Sequence, residues 1–209
     1  PVFMHLGWTT AGSIIYQIYA TQCHQLPQRS YFLFGPKLMY ALADIQAAWQ
    51  PTNDAAVLRQ FIGNPDMGWK VAWSDRMVSL YTTVFIASLL FALVRTRLKP
   101  LSLRGFAFLT LPMLLDGGTH LISDLAGIGH GFRDSNAWLA ILTGHLLPAT
   151  FYTGDALGSF NAWMRVITGV LLGIGVIWLA YPYIERAFRE VAHDLEASYP
   201  SQSRERGEN

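Results

Sequence analysis

Charge is what this sequence has least of: Asp, Glu, Lys and Arg make up 14% of its 209 residues, where a soluble domain carries about 25%. Such a surface needs a solvent other than water over much of its area. The few charges are also unevenly spread, since none precedes Arg29, none lies between Arg76 and Arg95, and none lies between Arg165 and Glu185. Cysteine is nearly absent too. Cys23 stands alone, which excludes an internal disulfide and any metal site built from several thiolates. A net charge of +1 gives no electrostatic reason to expect nucleic acid as a partner. No repeat of 20 to 50 residues and no matched pair of interrupted helices is visible, which argues against inverted-repeat transport.

What fills the gaps is apolar, with hydrophobic residues at 52%. A helix needs about 20 largely apolar residues to cross a hydrocarbon core of about 30 Å. Met77 to Val94 and Val166 to Ile184 meet that requirement outright. Gly105 to Ile128 is long enough but carries Asp116 and Asp124, so it reads as a span with a polar inner face. Val2 to Gln22 is uncharged, with Gly7, Gly12 and Ser13 suited to close packing, and reads as a fourth, weaker span. It has no basic leader and no small-residue cleavage site, which argues against a signal peptide.

Lys and Arg in short loops stay on the cytoplasmic side. Arg95, Arg97, Lys99 and Arg104 put the loop between the second and third spans there. Arg186 and Arg189, followed by the polar stretch 190–209, put the tail there as well, with its final ten residues disordered in composition. The stretch from Gly127 to Phe160 then begins and ends outside, and its apolar piece, Trp138 to Tyr152, broken by Gly144 and Pro148, reads as re-entrant or interfacial. A fifth crossing with the tail outside is the alternative. Residues 26–70 belong outside too, with short amphipathic helices at Leu38 to Trp49 and Asp54 to Ile62, the second capped by Asn53 or Asp54.

Three polar groups carry candidate chemistry. The first is Cys23-His24-Gln25-Leu26-Pro27-Gln28-Arg29-Ser30, where thiol, imidazole and guanidinium gather at the end of the first apolar stretch; equally, His24 and Arg29 could simply anchor a span at the headgroups. The second is Trp73-Ser74-Asp75-Arg76, whose adjacent acid and base point apart on a helix and so pair with other elements. The third is Asp116-Gly117-Gly118-Thr119-His120 with Asp124, in which positions 116, 120 and 124 share one helical stripe. A carboxylate at that depth costs about 2.5 to 3.5 kcal/mol on insertion scales and by default marks function, although a buried Asp can also serve only to lock helices together. Cys23, His24, Asp116 and His120 offer S, N and O donors for zinc or a similar cation. The same set with Arg29 and Arg76 could instead hold a phosphate or carboxylate headgroup.

The motifs Cys23 to Gly35, Gly68 to Met77 with Tyr81, and Leu111 to Gly117 resemble, in sequence and in order, those of the domain-of-unknown-function 2085 family of membrane proteins, in the form found in green non-sulfur bacteria. The likeness extends over roughly residues 7–144. It implies a membrane fold with a polar core, and no activity. Relatives commonly carry Cys-x-Arg-Cys or Cys-x-Arg where this chain has Trp73 to Arg76, and Gln in place of His120. Those departures argue against a multi-cysteine metal site here.

The expected fold is therefore an all-α integral membrane bundle of about four spans plus a re-entrant or interfacial helix. Residues 1–189 form its membrane domain and residues 190–209 a cytoplasmic polar tail in the cell membrane. Asp116, His120, His24 and Cys23 are the expected reactive groups. Arg29, Ser30, Asp75, Arg76 and Tyr81 are the expected substrate contacts. Two functions are open: a membrane-embedded enzyme or a cofactor- or lipid-binding protein whose site faces the outer leaflet, and a non-catalytic accessory subunit of a larger membrane complex.

Overall fold

In the computed structural model, which describes residues 1–198, three helices are long and apolar enough to cross a bilayer. They are α5 (Asp75–Val94), α6 (Leu103–Asp124) and α10 (Phe160–Ser198), numbered in chain order with the shorter elements introduced below. The sequence accounts for the start of α6 and the continuity of α5. The Ser102 hydroxyl accepts the Gly105 N–H at 3.1 Å to cap α6, and α5 has neither Gly nor Pro over its 20 residues. Their outward faces are apolar and uncovered, with Phe85, Leu89 and Leu93 on α5 and Phe108, Leu114 and Ile122 on α6 exposed. Such side chains suit a lipid surface, while the helical conformation itself bonds the backbone polar groups within the segment.

α10 lies parallel to α5. A Cβ at Gly169 would meet Ser79 Oγ at 2.1 Å, one at Gly173 would meet Thr83 Cβ at 2.9 Å, and further along Tyr181 bonds Ser88 at 2.8 Å. Glycines four apart thus bring the two backbones together, as small residues do in membranes. α6 runs the other way, with Gly175 of α10 against Phe106 and Leu109, and the connection before α6 is tied down by Trp178, whose indole donates to Lys99 O at 3.0 Å. The basic loop of residues 95–102 and the far part of α10 therefore share one end of the bundle, where Arg95 and Glu185 lie 3.8 Å apart. Beyond that level α10 continues for about 20 Å, straight through the expected boundary at residue 189. The expected disordered residues 200–209 lie outside the described ones.

At the other end sits a folded cap. Strands β1 (Ser30–Leu33), β2 (Gly63–Asn64) and β3 (Gly68–Ser74) form an antiparallel sheet in the order β1-β3-β2, with Phe32 opposite Lys70. Helices α3 (Leu42–Ala48) and α4 (Ala55–Leu58) cover it. Leu26, Phe32, Tyr40, Ile45, Leu58, Phe61, Met67 and Ile128 make its core. The Asp54 carboxylate caps α4, accepting from Ala56 N at 2.7 Å and Val57 N at 3.2 Å. The expected helices fall at these places but are shorter, and the sheet whose strands flank them in the chain is something sequence reading did not anticipate.

The Val2 to Gln22 stretch, expected as a continuous span, is instead two helices, α1 (Val2–His5) and α2 (Thr9–Tyr19), of 4 and 11 residues. Gly7, at φ +80°, takes a left-handed conformation that ends the first helix. α2 packs on the sheet, with the Tyr16 hydroxyl donating to Lys70 O. Between α6 and α10 the chain forms α7 (Phe132–Ser135), α8 (Ala137–Leu142) and α9 (Ala149–Tyr152), and it returns to the end of the bundle it left. The expected break in Trp138 to Tyr152 is present, with Gly144 and His145 both at positive φ.

Candidate functional site

Where cap and bundle meet, four arginines and four aspartates form two ion-pair clusters, joined into one network where the Arg76 backbone N–H donates to Asp75 Oδ1 at 2.8 Å. Arg76, in the first turn of α5, donates to Asp116 Oδ2 of α6 at 2.6 Å. Arg133 of α7 donates to the other oxygen of Asp116 at 2.6 Å. Arg29 grips Asp124 with two bonds of 2.7 and 2.8 Å and reaches Asp155 at 2.8 Å. Arg165 of α10 holds Asp75 at 2.8 and 2.9 Å and Asp155 at 2.6 Å. Asp75, Asp116, Asp155 and Arg165 are all buried, and each charge is compensated, which is the condition for keeping ions out of water. Arg29 and Asp155, both outside the spans, show the effect. Burial would lower the Arg29 pKa, but the Asp155 and Asp124 carboxylates hold it above its ordinary value. Burial would raise Asp155, and the two arginines hold it well below the usual carboxylate range.

The loop carrying Arg133 and Asp155 is fixed by two asparagines. Asn136, at φ +42°, donates to Arg133 O and Tyr152 O, each at 2.7 Å, and Asn161 donates to Arg133 O at 2.7 Å and Gly154 O at 2.9 Å. Asn tolerates the left-handed conformation better than most residues. Gly117 lets Arg76 pass, for a Cβ there would stand 2.8 Å from its Nη1.

Beside the network lies a cavity of about 250 Å³. Its walls come from the 22–29 turn, the start of α5, residues 113–124 of α6, and Arg165. Cys23, His24, Arg29, Arg76 and His120 of the expected site line it. Asp116 and Asp75 stand behind as partners of the arginines. Ser30 is fully buried and donates to Leu26 O at 2.9 Å, so its hydroxyl serves the turn. Tyr81 is 41% exposed and stacks on Trp73 at 4.5 Å. Neither lines the cavity.

His120 has a defined tautomer. Arg133 Nη2 lies 3.2 Å from His120 Nε2, and since a guanidinium can only donate, that nitrogen is the acceptor and the proton sits on Nδ1. Asp116 Oδ1, 3.9 Å from the same Nε2, is too far for a hydrogen bond. His120 Nδ1 and Arg76 Nε are both buried without a hydrogen-bond partner. Zinc does not fit the donor set: both Asp116 oxygens and His120 Nε2 face arginine, and among the described residues no three His, Cys, Asp or Glu side chains come together to hold a metal ion.

Sequence reasoning missed Arg133, Asp155 and Arg165. The signal for Arg165 was its place at the mouth of an apolar run, where it served only to mark a boundary. Arg133 and Asp155 lie in loops, where a charge is ordinary.

Fold and site together define a helical membrane protein with a buried ionic network at one end. The sequence profile of the domain-of-unknown-function 2085 family, described as a predicted membrane protein, matches residues 66–153, so the resemblance read from the motifs holds over the second and third of them. An uncharacterized protein of Methanocaldococcus jannaschii is 25% identical over 154 residues, 70% of this chain and 72% of its own length. No solved structure matches significantly.

Proposed function

We propose that the chain is a multi-pass membrane protein that takes the polar head of a lipid-like amphiphile into the cavity between the 22–29 turn, α5 and α6. The observation that carries this reading is the make-up of the cavity's surroundings. Gln22 and His24 on one side are exposed polar residues, Leu121 on the other is an exposed apolar residue of a span, and charged groups lie within. A molecule with a polar head and an apolar tail matches that gradient. Orientation belongs to the same reading: the basic loop at 95–104 and the Arg186 and Arg189 end of α10 lie inside, and the cap and cavity open toward the outer leaflet. Under it, residues 1–189 are the membrane domain, with 26–70 on the outer side, and 190–209 a cytoplasmic tail.

Native mass spectrometry of protein purified in mild detergent tests this. One retained amphiphile per chain is expected, and it should be lost from Ser74→Phe, whose ring would fill the cavity; Ser74 makes no side-chain cap bond to α5, so the fold should tolerate it. Equal retention by wild type and Ser74→Phe would sink the reading. A second reading, an accessory subunit whose charges serve helix docking alone, is favoured by the closed pairing of all four aspartates. It requires co-purification with a larger complex and no ligand.

A further inference from the structure

We infer that the head group taken by the cavity is a phosphate-type oxyanion, held by the Nδ1–H of His120 and the Nε–H of Arg76. The inference rests on the cavity being a binding site and adds what the site recognises. Among the buried side-chain atoms of the walls, the hydrogen-bonding capacity left over is donor-only. Arg165 spends all its nitrogens on Asp75 and Asp155, and Gln25 donates its amide to Tyr16 O at 2.9 Å. Arg29 is spent on Asp124 and Asp155. What remains buried and unpartnered is one N–H on the neutral His120 ring and one on Arg76. His120 is 4% exposed, so its N–H has little access to bulk water, and leaving such a donor unmade costs about 1 to 3 kcal/mol. Only an acceptor can relieve both.

The acceptor is charged because the walls are. Three arginines, Arg29, Arg76 and Arg165, line the cavity against a single carboxylate, Asp124, while Asp75, Asp116 and Asp155 lie behind them. Asp124 opposes an anion, but both its oxygens are turned to Arg29. A neutral carbonyl would meet the two donors and gain nothing from the arginines. An oxyanion gains from both, and a phosphate has oxygens enough to take the two N–H groups at once.

The full chain in detergent, titrated with short-chain phosphatidic acid, short-chain diacylglycerol and inorganic phosphate, tests the inference by isothermal calorimetry. The phosphorylated lipid should bind at least about tenfold more tightly than the diacylglycerol, the worth of one or two charge-assisted hydrogen bonds. His120→Leu and Arg76→Lys should each lose most of that preference, whereas His120→Gln, which keeps an N–H donor, should retain it, and thermal melts of the same samples verify folding. Competition by inorganic phosphate would make the free anion a sufficient ligand; binding of the lipid without such competition would make the headgroup its source. Equal binding of both lipids, unchanged in His120→Leu, would overturn the oxyanion while leaving an amphiphile site standing. Binding of neither lipid and no phosphate would overturn both.

Discussion

Lys70 is the residue whose surroundings contradict its chemistry most. It is 0% exposed, sits in β3, and has two backbone carbonyls for partners, Gln25 O and Arg59 O, both at 2.7 Å. Among the described residues no carboxylate pairs with it, and burial lowers its pKa from 10.5 to about 7. Between those two values the unfolded chain holds a proton that the folded chain has lost. Stability should therefore rise as the pH climbs from 7 towards 10.5, with the burial penalty fully present below 7. Melting in detergent across that range should show the upward slope in wild type and a flatter one in Lys70→Met. Asp155 is the opposite case. It serves Arg29 and Arg165 together, so Asp155→Asn strips a shared counter-charge from two buried guanidinium groups and should destabilise by about 3 to 5 kcal/mol. Asp124→Asn, at a side chain 22% exposed, should cost clearly less in the same chemical-denaturation experiment.

Among the elements, the joint between α5 and α10 depends on bare backbone. Gly169→Leu or Gly173→Leu would drive a side chain into Ser79 or Thr83 and should part the helices, seen as loss of a monodisperse peak in size-exclusion chromatography. Gly118→Ala, with nothing within 4 Å of the new carbon, is the matched control and should elute as wild type. The three long helices were legible because apolar runs near 20 residues have few other uses. The sheet was not, since Ser30 to Leu33 and Gly68 to Ser74 are short, lack a common alternation, and are separated by the 34 residues 34–67 with no hairpin signal joining them. In hindsight the first two family-like motifs are these two paired strands with their flanking turns. The stripe of Asp116, His120 and Asp124 was readable from a spacing of four, whereas Arg133 and Asp155 reach it only through a loop whose path no local pattern encodes.

At the scale of the whole molecule, one structural relation constrains sidedness: the loop at 95–102 and the far part of α10 share an end, and the cap lies at the other. With Cys23 replaced by Ser, a cysteine introduced at exposed Asp66 should react with an impermeant maleimide applied to intact cells, and one at exposed Arg97 should not. Labelling of the second site alone would reverse the orientation and turn the cavity inward.

The network also carries an order of assembly. A ribosome delivers Arg29, Asp75, Arg76, Asp116 and Asp124 before any of Arg133, Asp155 and Arg165 exists. Among those first five, Arg76 neutralises Asp116 and Arg29 neutralises Asp124, so the α5–α6 hairpin enters the bilayer with two ready-made pairs and one carboxylate, Asp75, left waiting. Its partner arrives last, on α10, already bonded to Asp155 ten residues before it. The final helix thus brings the counter-ion that Asp75 lacks within the earlier part of the chain.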